Sequence, residues 1–459
     1  MKIHCLVAAL LATATLATAT AAFAQTAPVV QPANAIFPYD KHVETLPNGM
    51  TLVVVPMKSP GLVAYYTLVR VGSRNEVEKG HSGFAHFFEH MMFRGTKLYS
   101  PDKRDAFLKT IGADDNAFTT DDFTCYTVFG ASNRMEDLIK IEADRIQNLS
   151  YGKSEFQTEA RAVKGEYNKN FSNPEEKMIE KLQAAAFTKH TYRHTTMGFV
   201  EDIDAMPGHY EYAGGFFKRF YRPDNVTLYV VGDIDPARIS ALVKQSYGAW
   251  SGKGELAKIA VEPPQTKERR VDLKWDAETA PRIMIGWHTP AQNLTHDEPA
   301  QYVVGTYLFG KASRLYKDLV LDRALVESIG DYSSPHRDPN LQLVGITLKD
   351  EKDRKVVFDT IQKAIEDLAN GNVDAKLLKD VVSNTRYSVL TNLETPNQVA
   401  DTMVFVAGPS GQVDGLEKIM ALEDKITPES VSAFAKKYLV PANRTVVQLT
   451  SAASKGGAK

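Results

Sequence analysis

The chain has 459 residues with 54 Lys and Arg against 56 Asp and Glu, so its net charge of −2 offers no basic field for nucleic acid or an acidic lipid surface. At 43% hydrophobic residues it can bury more than one core, yet no stretch beyond the N-terminal region reaches the ~18 consecutive apolar residues of a membrane span. Neither a nucleic-acid binder nor a protein stably inserted in a membrane fits this balance.

Residues 1–24 read as a cleavable export signal: Lys2, an apolar stretch from Cys5 through Ala22, and Ala22-Phe23-Ala24 ahead of Gln25 as the cleavage site. Threonines at 13, 15, 18 and 20 dilute the apolar run and argue against an uncleaved anchor. The expected location is periplasmic, with secretion as second choice. Removal of the signal leaves Cys125 as the only cysteine, which excludes an internal disulfide and reads as a small buried strand residue. Further on, Leu46-Pro47-Asn48-Gly49-Met50 predicts a hairpin turn between two strands.

His86-Phe87-Phe88-Glu89-His90 follows. On a helix His86 and His90 lie about 40° apart on one face, with Glu89 roughly 60° to the other side of His86. Two imidazoles at this spacing can grip one Zn²⁺, and the carboxylate beside them can accept a proton from water. Phe84, Ala85, Phe87, Phe88, Met91, Met92 and Phe93 surround the motif and predict a largely buried helix, where two histidines and a glutamate need polar partners. The order H-x-x-E-H marks the inverzincins.

The stretch Gly80-His81-Ser82-Gly83-Phe84-Ala85-His86-Phe87-Phe88-Glu89-His90-Met91-Met92-Phe93-Arg94-Gly95-Thr96 resembles the signature of the pitrilysin family, which includes the mitochondrial processing peptidases. That resemblance implies a third zinc ligand well downstream of His90, in a segment E-x-x-x-V-x-x-E that is present here as Glu159 to Glu166. Sequence chemistry by itself does not choose Glu166 over Asp114, Asp121, Glu142 or Asp144. Glu159, almost on the same helical face but about 10 Å along the axis, reads as a carboxylate that orients a ligand, with an ordinary surface ion pair as the competing reading. Asn116-Ala117-Phe118-Thr119, opening a segment that ends at Tyr126, is similar to the family's active-site edge strand. An extended peptide substrate would lie there, held by its backbone. Phe118, Phe123 and Tyr126 also read as the core face of a half-buried strand.

The remaining chain points to duplication. The segment Phe216 to Leu228 echoes Phe434 to Val446 at a constant offset of 218, each copy a helix, a turn at Pro and Asn, then a strand. The expected architecture is α+β, built twice: an N-terminal zinc-binding half at 37–252, a linker at 253–268 with Pro263-Pro264, and an inactive C-terminal half at 269–450. Together, the resemblance implies, they form half of a clamshell. Asp235-Pro236 and Thr427-Pro428 predict helix starts, and Gly371 a helix end. The offset carries His86, His90 and Glu166 onto Val304, Leu308 and Asn384, so the second half is expected to bind no metal. His190 and His194, four apart, sit among loop residues where that spacing fixes no geometry.

In active members of the family the half lacking zinc contributes an Arg and a Tyr seven residues apart that stabilise the oxyanion. Anchored on Ser313-Arg314-Leu315, those positions hold Val320 and Glu327 here. The expectation is therefore a zinc endopeptidase for short or unfolded peptides that needs a homologous partner subunit, one lacking zinc but supplying the Arg and Tyr. The alternative is a non-catalytic peptide-binding or structural subunit of a larger complex.

Overall fold

The apolar run Leu62–Val69 is buried at every position but its first, and Val226–Gly232 is buried throughout, as strands covered on both faces must be. The computed structural model describes residues 28–451 apart from 35, 253, 293, 295 and 296, so the export signal read at 1–24 lies outside the described residues. In the first sheet β1 (Val29–Gln31), β2 (Lys41–Thr45), β3 (Thr51–Pro56), β4 (Leu62–Val69), β5 (Asp114–Thr119), β6 (Thr124–Ala131) and β7 (Val226–Gly232) run in the order β1-β2-β3-β7-β4-β6-β5. In the second, β8 (Arg269–Trp275), β9 (Arg282–Thr289), β10 (Val326–Asp331), β11 (Asn340–Leu348) and β12 (Arg444–Ser451) run β10-β11-β9-β12-β8. Only β3 with β7 and β8 with β12 are parallel.

Read from the β5 and β10 edges, these are the same five strands twice, and the offset of 218 survives in the register. Thr227 pairs with Thr51 and Leu68, and Leu68 with Cys125. At that same offset, Thr445 pairs with Arg269 and Gly286, and Gly286 with Leu343. Repetition of a pairing register across four strands is stronger evidence of duplication than the sequence echo, because a one-residue slip would turn every side chain to the wrong face.

One face of the first sheet carries the helices Phe84–Met91, Met135–Asn148, Lys153–Asn170, Tyr210–Phe220 and Pro236–Tyr247 over a continuous apolar core. The second sheet carries Asp297–Phe309, Arg354–Ala369, Ala375–Thr391 and Pro428–Tyr438 in the same way. Side chains open and close several of these helices: Asp235 accepts from Arg238 N–H, Thr427 accepts from Ser430 N–H, and Gly371 turns at φ +88° just past Ala369.

The opposite faces are covered by exchange. Met178, Leu182 and Ala186 of helix Pro174–Ala186, from the first half, pack on Met284, Leu341, Val447 and Leu449 of the second sheet. Val399, Ala400, Met403, Val404 and Ala407 of helix Pro396–Ser410 pack on the first sheet, against Val53, Val55, Ala64, Tyr66, Leu68 and Tyr229. Each half thus completes the other's core, and the linker adds a tie: Glu262 accepts the N–H groups of Thr188, Lys189 and His190 at 2.7–3.0 Å.

Gly408 permits this exchange, since a Cβ there would overlap the Phe123 ring. Gly408→Ala is expected to cost roughly 1–3 kcal/mol by overpacking the seam between the halves. Thermal or urea unfolding checks it, with Gly214→Ala in helix Tyr210–Phe220 as a comparison, where a Cβ meets nothing within 4 Å and the backbone is helical.

Candidate active site

The motif helix, Phe84–Met91, follows Gly83 at φ +88°, a conformation suited to glycine, and any Cβ there would crowd the Met197 carbonyl. Its first turn has no side-chain cap of its own. Glu76 supplies one from the preceding loop, accepting the N–H groups of Gly83 and Ala85 at 2.7 Å each. Burial lifts the Glu76 carboxyl to about 8 against the pull of those two bonds. Phe84, Phe87, Phe88 and Met91 are fully buried and lock the helix to the core.

Its remaining face carries His86, Glu89 and His90. Nε2 of His90 lies 3.2 Å, and Nε2 of His86 3.7 Å, from Oε2 of Glu166 on helix Lys153–Asn170. One donor atom from each of the three lies within 4.8 Å of the others, the only such group of His, Cys, Asp and Glu found among the described residues. His90 turns its Nδ1–H to Glu159 Oε1 at 2.9 Å, which leaves a lone pair on Nε2. That lone pair and the Glu166 carboxylate are two acceptors face to face, an arrangement that needs a cation or a shared proton between them. Burial first, and the neighbouring His90 second, lower the His86 pKa to about 3, so His86 is neutral and can also offer a lone pair. Two imidazoles and a carboxylate with an open side fit the donor set of a catalytic zinc site.

Glu159 is buried, at 4% exposure, and its other oxygen takes the Arg94 guanidinium. One long step before Glu166 on the same helix, it reaches the far nitrogen of His90 without entering the cluster. Glu159→Gln is expected to weaken metal binding roughly 10–100-fold while leaving the fold unchanged, because it loosens the imidazole's orientation and basicity. Competition with a calibrated zinc chelator measures it.

Glu89 lies beside the cluster, and Oε2 accepts from the Thr119 hydroxyl at 2.6 Å. Burial raises its pKa above the usual carboxylate range, while the Thr119 bond and His90 oppose that shift. Thr119 ends β5, which pairs only with β6 and so forms an edge. The Thr127 hydroxyl donates to Asn116 O at 3.2 Å, so the backbone of Asn116 faces β6. By strand alternation the main-chain groups of Ala117 and Thr119 face outward, and those of Asn116 and Phe118 inward. Of the four residues read as a peptide edge, two thus have free backbone groups, while Phe118 stacks on Phe405 at 5.2 Å.

The rival carboxylates are engaged elsewhere. Glu142 pairs with Arg104 and Arg145, Asp144 bonds Thr96 and Asn148, Asp121 bonds Ser73 and His336, and Asp114 starts the exposed end of β5. His190 bonds Asp338 and accepts from Tyr192 N–H, and His194 bonds Thr195 O. Cys125 is buried in the first sheet.

The second half's counterpart is now readable from burial. Buried Phe84, Phe87, Phe88, Met91 and Met92 repeat, at an offset of 216, as buried Ala300, Val303, Val304, Tyr307 and Leu308. Buried Phe156, Glu159 and Val163 repeat, at an offset of 222, as Leu378, Val381 and Thr385. His86, Glu89, His90 and Glu166 therefore fall on Tyr302, Gly305, Thr306 and Ser388, which displaces the assignment to Val304, Leu308 and Asn384 by a few positions and again gives no metal-ligand set. A cavity of about 310 Å³ lies there, bordered by Tyr302, Thr385, Ser388 and Val389.

Residues 54–199 match the family model described as Insulinase (Peptidase family M16), and residues 213–385 match Peptidase M16 inactive domain. The chain belongs to the M16, or pitrilysin, peptidase family. Within M16 it is 26% identical over 363 residues to "Zinc protease PqqE" of Helicobacter pylori (strain ATCC 700392 / 26695), covering 78% of this chain and 81% of that one. The crystal structure of a protease from Helicobacter pylori is similar with a TM-score of 0.84 at 24% identity, over 89% of this chain and 99% of that chain. The periplasmic protease PqqL from Escherichia coli shares the fold with a TM-score of 0.74 at 17% identity, over 92% of this chain but 48% of PqqL. The M16 model described as inactive reaches well into the half where no metal-ligand set recurs. Among the described residues no helix is long and apolar enough to cross a membrane.

Proposed function

We propose that this M16 protein is a zinc-dependent endopeptidase acting on short or unfolded peptides in the periplasm, together with a homologous subunit that lacks zinc. The observation that carries the reading is the convergence of His86, His90 and Glu166 beside Glu89 and a free strand edge. His86, His90 and Glu166 would hold the ion. A bound Zn²⁺ supplies a Lewis acid that acidifies water and polarises a carbonyl. The chain's own residues do the rest. Ala117 and Thr119 hold an extended peptide by its backbone, without regard to side chains. Glu89 accepts the proton of the attacking water and hands it to the leaving amine. Glu159, backed by Arg94, fixes the tautomer of His90.

Val320 and Glu327 stand where the family's Arg and Tyr are expected. Glu327 is an exposed carboxylate on β10 and would oppose, not stabilise, an oxyanion. That absence, and a match to under half of the longer PqqL chain, support a partner subunit supplying both donors. The export signal read at 1–24 and the periplasmic description of PqqL support the location.

The same Val320 and Glu327 favour one second reading, a peptide-binding subunit without turnover. Quenched fluorescent peptides incubated with the zinc-loaded chain separate the readings. Cleavage that a zinc-free homologue stimulates supports the paired enzyme, cleavage unaffected by any partner removes the pairing, and peptide binding without cleavage under either condition removes the enzyme.

A further inference from the structure

The two halves meet at equivalent hairpins. The β5–β6 turn, Thr120 to Phe123, touches the β10–β11 connection, Tyr332 to Pro339, through contacts between positions far apart in sequence. On its own side the turn is tied to the loop before the motif helix: Arg74 N–H donates to Asp121 O, and Ser73 Oγ to Asp121 Oδ1, each at 2.8 Å. From the second half, His336 Nε2–H donates to Asp121 Oδ2 at 2.8 Å and Arg337 N–H to Asp122 Oδ2 at 2.9 Å.

The geometry points to His336 as a positioning residue: from the half without a metal-ligand set it holds the β5–β6 hairpin, and through Thr119 the peptide edge and Glu89, in working position. Both of its ring nitrogens face acceptors, Asp121 Oδ2 and, at 2.7 Å, Ser334 O. Only the imidazolium donates from both. The surroundings agree: burial works to lower the His336 pKa, but the hydrogen bond and charge of Asp121, with Asp122, outweigh it and raise it. Asp121 is held below the usual carboxylate range, burial again being outweighed by His336 and Ser73. Other groups facing the pair are the Tyr192 ring 5.2 Å away, Asp338 and Arg337 on the same loop, Arg74 and His190 bonded to Asp338, and His194 near Asp121. None of these supplies a second cation to Asp121 Oδ2.

The sign follows. A group whose pKa is raised on folding contributes its bond fully at low pH and loses it as pH climbs through the raised value. The clamp is closed below the raised pKa of His336 and opens as pH climbs through it, above the ordinary imidazole range.

Hydrogen exchange of the intact chain tests this without turnover, so an inactive preparation leaves the test valid; only the catalytic meaning of the clamp rests on the peptidase reading above. Between pH 6 and pH 9, after correction for intrinsic rates, amides of β5 and β6 are expected to lose protection roughly tenfold or more in the wild-type chain, while β9 stays unchanged. His336→Gln should be less protected at pH 6 and lose the pH dependence, and His336→Ala less protected still. A flat wild-type profile, which needs no variant to fold, overturns the inference, as does a Gln variant that matches wild type. In an active preparation His336→Gln is expected to raise KM more than it lowers kcat and to remove an alkaline limb from kcat/KM. Unchanged kinetics beside a loosened hairpin would reject positioning in favour of a structural tie.

Discussion

Glu89→Gln is expected to bind zinc like the parent chain and to lose about 10²–10⁴-fold or more in peptide turnover. The substitution is isosteric, and the carboxamide oxygen can still accept from the Thr119 hydroxyl, so β5 and the helix keep their contact. None of the three donor atoms of the cluster belongs to Glu89. What disappears is basicity. The native carboxylate lies in a site whose burial pushes its pKa upward, which suits a group that must take a proton and return it within one cycle. Zinc stoichiometry and cleavage of a quenched peptide, measured on the same preparation, test both halves of the statement. A variant with normal rates would exclude Glu89 as the base and return the search to the other carboxylates around the cluster, Glu159 and Glu166.

The contrast between what local sequence carries and what it does not is clear at this site. His86, Glu89 and His90 are legible because a helix converts spacing into a shared face. The place of Glu166 came only with the family resemblance, because a contact between distant parts of the chain depends on how two helices dock. Docking then separated Glu166 from Asp121 and Glu142 by giving each of the others a different partner. The hairpin at Asn48-Gly49 and the caps at Asp235 and Thr427 are local and were readable. The exchange of helices Pro174–Ala186 and Pro396–Ser410 between the sheets was not, since each is simply an amphipathic helix until the opposite sheet offers it an apolar face. Nor could one constant offset serve the whole duplication. The paired strands and the helix Tyr210–Phe220 keep 218, but the motif helix and Lys153–Asn170 shift to 216 and 222, because loops absorb insertions and a ladder cannot. His336 left no trace in sequence, as a single histidine in a loop far along the chain from its partner has no pattern to belong to.

His90→Ala should remove metal and turnover together, and the pairing of those losses distinguishes a ligand from a base. His90 is the joint of the cluster: Nε2 faces Glu166 and Nδ1 holds Glu159, so truncation deletes one donor and frees the carboxylate that Arg94 alone then balances. The expected loss of zinc affinity exceeds the roughly 10–100-fold assigned to Glu159→Gln, which only orients a donor that remains. Glu166→Ala is expected to behave like His90→Ala, since its oxygen is the third donor of the set. The helix itself should survive, because Phe84, Phe87, Phe88 and Met91 anchor its other face and Glu76 caps its start. Chelator competition with a circular-dichroism control checks all three points. Full zinc occupancy in His90→Ala would mean that zinc binding does not depend on Nε2 of His90, and the assignment of the ion to His86, His90 and Glu166 would fall.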